Sequence, residues 1–154
     1  MSFWRLYYHL VWGTKQRHPT LGAEISIVAE RSIRDTSNDL GLIFYAIGMM
    51  PEHVHLVVGI PPRHSISDVV KQIKGSSSHL LTTVAKNSSE LAWHGWQGKY
   101  GVMSFGERSL DQIVRYVQNQ KDHHLTGELL PALGKLGTEL RDAHPERGNL
   151  GEVS

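Results

Sequence analysis

Leu42-Ile-Phe-Tyr-Ala-Ile-Gly-Met-Met-Pro-Glu-His-Val-His-Leu-Val-Val-Gly-Ile60 is the stretch that decides the fold. Two runs rich in branched and aromatic residues, Leu42–Met50 and His53–Ile60, flank Pro51-Glu52. That layout predicts an antiparallel hairpin closed by a tight turn. Working outward, Leu21 to Leu40 places Ile25, Val28, Ala29, Ile33 and Leu40 at helical intervals, and Gly41 stops the helix. Before it, Phe3–Gly13 (FWRLYYHLVWG) reads as a strand. After the hairpin, Ser65 with Asp68 three residues on predicts a capped helix start. Its apolar side carries Ile66, Val69, Val70, Ile73, Leu80, Leu81 and Val84. Gly98–Gly106 is a fourth strand, and Ser109 is expected to cap a helix over 110–124. Leu110, Ile113, Val114 and Val117 would form the buried face of that helix. A short helix is expected near Glu128–Leu140.

The order β-α-β-β-α-β-α predicts an α+β fold, a ferredoxin-like antiparallel four-stranded sheet with helices packed mainly on one face. At 154 residues the chain is the size of one domain, expected over 1–142. Residues 143–154 lose all periodicity and read as a flexible tail. No run approaches the ~20 apolar residues of a membrane span, and Met1-Ser-Phe-Trp-Arg lacks a signal-peptide layout. A cytoplasmic protein with no membrane partner is the expectation. The fold by itself hosts many functions, so function must come from the residues.

Composition narrows the chemistry. The chain has no cysteine, which excludes a disulfide scaffold, a thiolate metal site and a cysteine nucleophile. It has ten histidines. Metal or acid–base chemistry must therefore be built from imidazole, carboxylate, amide and hydroxyl groups. Net charge is +1 at neutral pH, which is not the footprint of an obvious nucleic-acid binder. The charge is uneven, however: residues 1–125 carry 13 bases against 10 acids, and residues 126–154 carry 3 against 5.

His53-Val-His55 opens the third strand. Side chains two apart on a strand share a face, with Cα atoms about 6.5–7 Å apart, so both rings can converge on one divalent ion. Val54 points to the other face. Alone, the pattern is weak and reads better as two half-buried polar residues making hydrogen bonds. Tyr116 and Gln120 lie four apart on the predicted helix and share one face of it. Tyr116 falls at the edge of the apolar stripe. Alone, it reads as a boundary residue with its hydroxyl in water, and Gln120 as a solvated helix former.

Together these halves resemble a family. Pro51-Glu-His-Val-His-Leu-Val-Val on a strand, with Ile113-Val-Arg-Tyr-Val-Gln-Asn-Gln-Lys-Asp-His-His on a helix about sixty residues later, is similar to the HUH single-tyrosine transposases of small insertion sequences. That group includes relatives associated with repeated palindromic elements. Phe3-Trp-Arg-Leu-Tyr-Tyr-His-Leu-Val-Trp-Gly-Thr-Lys-Gln-Arg resembles the family's opening strand with its basic exit. Lys71-Gln-Ile-Lys-Gly-Ser-Ser-Ser and Trp96-Gln-Gly-Lys-Tyr-Gly-Val-Met-Ser resemble its DNA-side helix and the approach to its last strand. The likeness runs in the family's order over about residues 3–125.

The resemblance implies a metal-dependent enzyme that cleaves and transfers single-stranded DNA at hairpins. It implies that His53, His55 and Gln120 hold Mg²⁺ or Mn²⁺, and that Tyr116 attacks phosphorus to leave a 5′-phosphotyrosine link. It implies a homodimer, in which Tyr116 can serve the other subunit's metal site. DNA contacts are expected from Lys15, Arg17, Arg63, Lys71 and Lys74, with Tyr7, Tyr8 and Trp96 as candidate stacking rings. Two alternatives stay open: a domesticated relative that processes repeated palindromes, and a non-catalytic nucleic-acid-binding ferredoxin-like module.

Overall fold

The structure is a computed structural model that describes residues 2–89 and 91–119. It contains the strands β1 (Tyr7–Gly13), β2 (Ile43–Met50), β3 (His53–Gly59) and β4 (Gly101–Phe105). Three helices join them: α1 (Ala23–Asp39), α2 (Ile66–Lys86) and α3 (Leu110–Gln118). The sheet order is β2-β3-β1-β4, and every neighbouring pair is antiparallel. This is the expected α+β architecture.

β3 is an inner strand, and all seven of its residues are buried. A strand with both faces covered needs two chemistries, one for each set of alternate side chains. On one face Val54, Leu56 and Val58 join Leu10 and Trp12 of β1 beneath α1 and α2. Ile25, Ala29 and Ile33 of α1 and Val69, Val70, Ile73 and Leu81 of α2 complete that core. On the other face Val57 and Ala46 pack against Ile113, Tyr116 and Val117 of α3. Two helices thus share one face and the third lies on the opposite face. Among the described residues no helix is long and apolar enough to cross a membrane.

Turns follow the local chemistry. Gly41 takes a φ of +72°, the left-handed turn that ends α1 without a Cβ clash. Ser65 caps α2, its Oγ accepting the Asp68 backbone N–H at 3.1 Å. Ser109 does not cap α3, contrary to expectation, and its side chain makes no cap hydrogen bond. The chain enters that helix through a 3₁₀ turn at Glu107–Ser109, so Ser109 already has helical dihedrals (φ −91°, ψ −9°). β1 is shorter than the expected 3–13. Its ladders end where Tyr7 meets Gly59 of β3 and Phe105 of β4; beyond them the Leu6 carbonyl accepts from the Ile60 N–H at 3.2 Å, but residues 3–6 are not part of a strand. Leu80, expected on the buried side of α2, is 38% exposed, whereas Lys74 and Ser77 are buried there. The expected extension of α3 to 124, the helix near 128–140 and the tail at 143–154 lie outside the described residues.

Leu56 is fully buried at the centre of the helical side of the sheet. Replacing it by Ala is expected to cost about 2–5 kcal/mol. Urea unfolding of Leu56→Ala should show this as a lower midpoint with an unchanged slope.

Candidate active site

The Pro51–Glu52 turn delivers His53 to the first position of β3, and strand alternation brings His55 back to the same face. The two imidazoles meet edge to face, with ring centroids 4.9 Å apart. His53 lies opposite Gly13 and Met50, and His55 opposite Val11 and Gly48. Gly48 presents no side chain beside His55. Both histidines are buried, so a metal here would be gripped inside the fold rather than on its surface.

Each ring is oriented through its Nδ1. His53 Nδ1 donates to Glu52 Oε1 at 2.9 Å, since a carboxylate can only accept. His55 Nδ1 lies 2.8 Å from Nε2 of His9, a β1 residue that is wholly buried. Nε2 is therefore the nitrogen through which both rings would bind a metal. Burial holds the His9 ring well below the usual imidazole range, at about 4, so it is neutral at physiological pH. Two neutral imidazoles suit a borderline divalent ion. Among the described residues no three His, Asp or Glu side chains come together to hold one unaided. A donor of another type is needed, as an amide would be, and Gln120 lies outside the described residues.

Tyr116 reaches this site from α3. Its ring stands edge to face with His55, centroids 6.1 Å apart, within a single chain. It is not at the edge of the apolar stripe, as the sequence suggests, but 3% exposed in the core beneath α3. The reason is the orientation of the helix. Ile113, Tyr116 and Val117, spaced i, i+3 and i+4, are the residues that α3 turns toward β2 and β3, while Val114 is only partly buried.

The family model for IS200-like transposases matches residues 2–120. The chain belongs to that family. The ISDra2 transposase TnpA of Deinococcus radiodurans is 32% identical over 121 residues, spanning 77% of this chain and 86% of the relative. A crystal structure of a Deinococcus radiodurans R1 protein assigned as a transposase has 33% identity and a TM-score of 0.61, covering 77% of this chain and 93% of that one. A REP-associated tyrosine transposase bound to a REP hairpin shares the fold at 18% identity and a TM-score of 0.57, covering 80% and 74%.

The five basic residues expected to contact DNA do not share one surface. Lys15 and Arg17 form a 3₁₀ turn just beyond Gly13, the partner of His53, and so flank the histidine end of β3. Gln16 and Arg17 have φ of 55° and 57°, a left-handed conformation that side chains other than glycine rarely adopt. Arg63 follows the opposite end of β3, where its guanidinium donates to the Leu40 carbonyl at the end of α1. Lys71 is exposed on α2, in a groove with Asp39 and Asp68, across the sheet from the histidines. Lys74 is 4% exposed, and its Nζ donates to the Gln97 carbonyl at 2.6 Å. That ammonium ties α2 to the approach to β4 and is not presented to a ligand. Tyr7 stacks on Phe105, Tyr8 packs on the core under α1 and α2, and Trp96 stands edge-on to Trp12. All three rings are engaged within the protein. The spacing of His9 and Glu52, which contact the two histidines, does not single them out as site residues. Their one sequence signal is position: Glu52 adjoins His53, and His9 is a polar residue amid an aromatic and aliphatic strand.

Lys74→Met should remove the donor of the Gln97 carbonyl and cost about 1–3 kcal/mol in chemical denaturation at neutral pH. Burial lowers the Lys74 ammonium from 10.5 to about 8. The folded chain then binds this proton less tightly than the unfolded chain. The stability that goes with the depressed pKa is fully present above 10.5 and is lost as pH falls through 8. The stability of the wild type relative to Lys74→Met should rise between these pH values.

Proposed function

We propose that this chain is a metal-dependent single-tyrosine transposase that cleaves and rejoins single-stranded DNA at hairpins. The observation that carries the reading is the contact between Tyr116 and His55 on the face of the sheet where His53 and His55 converge. A hydroxyl nucleophile beside a potential metal ligand is the minimum constellation for phosphoryl transfer to the protein. Mg²⁺ or Mn²⁺ held by His53, His55 and Gln120 would polarise the scissile phosphate and offset its developing charge.

In this reading Tyr116 Oη attacks phosphorus in line, forming a tyrosyl–phosphate bond as the bond to the 3′ oxygen breaks. The phenol proton is released, and the departing oxygen takes one up to become a free 3′-hydroxyl. The phosphotyrosine keeps the energy of the original diester, so a 3′-hydroxyl can reverse the step and join strands without ATP. Core packing of Tyr116 holds its ring in one orientation and limits hydrolysis of the intermediate by stray water. Lys15 and Arg17 flank the His53 end of β3 and would neutralise phosphates of the entering strand. The hairpin bound by the REP-associated relative supports a folded-back substrate. A homodimer and a cytoplasmic setting belong to the same proposal. β2 and β4 are the sheet edges along which a second chain could pair.

The test is incubation with end-labelled hairpin-bearing single strands and Mn²⁺, followed by denaturing electrophoresis. Wild type should yield an SDS-stable protein–DNA adduct, and Tyr116→Phe and His53→Ala should reduce it to background. An adduct that survives in Tyr116→Phe overturns the nucleophile assignment. For binding alone, Lys15→Ala should weaken affinity and lower the slope of log K against log salt by about 0.7 in magnitude. An unchanged slope would remove Lys15 from the DNA path.

A further inference from the structure

We infer that His9 is a positioning residue, which accepts the Nδ1 proton of His55 and so presents His55 Nε2 to the metal. The inference rests on the metal-dependent reading above and extends it to a residue outside the ligand set.

A hydrogen bond between two neutral imidazoles needs one donor and one acceptor, so the 2.8 Å contact between His9 Nε2 and His55 Nδ1 has two forms. In one, His9 carries its proton on Nε2 and donates. His55 must then hold its own proton on Nε2 and cannot ligate through that atom. In the other, His55 donates from Nδ1, its Nε2 has a lone pair, and His9 carries its proton on Nδ1. Only the second form is compatible with a metal. With the nitrogens 2.8 Å apart and the ring centroids 4.9 Å apart, the two rings lie nearly end to end and 19° from parallel.

The two histidines of β3 therefore reach the same tautomer by different means. Glu52 can only accept, so it fixes His53 outright. His9 can serve either way, and its second nitrogen does not settle the choice. His9 Nδ1 is buried without a hydrogen-bond partner among the described residues. That atom carries a proton in the ligating form and a lone pair in the other, so it is unsatisfied in both and leaves a metal on His55 Nε2 to select between them. Metal binding at His55 and the tautomer of His9 are thus linked. An aromatic or aliphatic side chain at position 9 would pack as well in β1 but would leave His55 Nδ1 without its acceptor. Outer partners of this kind typically alter metal affinity by about 10–100-fold.

The experiment is run on the full chain with metal alone, without DNA. Mn²⁺ titration by calorimetry should show His9→Leu binding about 10–100-fold more weakly than wild type, and His9→Gln, whose amide oxygen can accept, recovering most of the loss. Circular dichroism verifies that each variant is folded. Imidazole ¹⁵N–¹H correlation spectra of the wild type with saturating Mg²⁺ give a readout independent of any variant. The His9 proton should appear on Nδ1, and so should that of His55. A His9 proton found on Nε2 in the Mg²⁺-loaded protein overturns the inference, as does a folded His9→Leu with wild-type Mn²⁺ affinity. Absence of Mn²⁺ binding by the wild type overturns the metal reading itself, which separates the two failures.

Discussion

Everything in this molecule depends on the alternation of side chains along β3. The strand is buried on both faces, with Val54, Leu56 and Val58 in the core beneath α1 and α2 and His53 and His55 on the face toward α3. A slip of one residue would drive two imidazoles into an aliphatic core and bring valine and leucine to the site. Burial on both sides makes that slip prohibitive, so the packing that stabilises the sheet also fixes the direction of the two imidazoles. Stability and chemistry share one strand and differ only in parity.

The opposite face shows the same economy. α3 covers the sheet with Ile113, Tyr116 and Val117, so the proposed nucleophile is also a core residue. Its ring contributes contact area to β2 and β3 while its edge meets His55. The histidines are likewise held by neighbours on two different elements, Glu52 in the turn and His9 on β1. The site is a small polar inclusion in an otherwise apolar layer, and each polar contact restricts how its neighbours can turn.

The element order was legible in the sequence because it rests on local signals. Period-two and period-3.6 patterns marked the strands and helices, Gly41 marked the end of α1, and the Ser65 cap marked the start of α2. His53, His55 and Tyr116 were legible through a spacing that matches a family. What was not legible depends on register and helix rotation. That His9 meets His55 follows from how β1 aligns with β3, where His9 is paired with Val57 and Val11 with His55. That Tyr116 is central rather than marginal follows from the direction in which α3 faces. Lys74 looked like a surface cation because lysine usually is one, but α2 turns it inward to a backbone carbonyl. Net charge was the weakest guide, since it summed an acidic C-terminal stretch with a mildly basic body.

The two-residue turn at Pro51–Glu52 has a consequence for how such a chain can drift. The Glu52 carbonyl accepts from the Thr14 backbone N–H at 2.9 Å, while the Glu52 carboxylate holds His53. The Pro51 carbonyl accepts from the Leu21 N–H at 3.0 Å. One dipeptide therefore anchors the exit of β1, the approach to α1 and the first histidine. A single inserted or deleted residue there would unfasten all three and reverse the parity of β3. The length of this turn is therefore as constrained as the identity of the residues it carries.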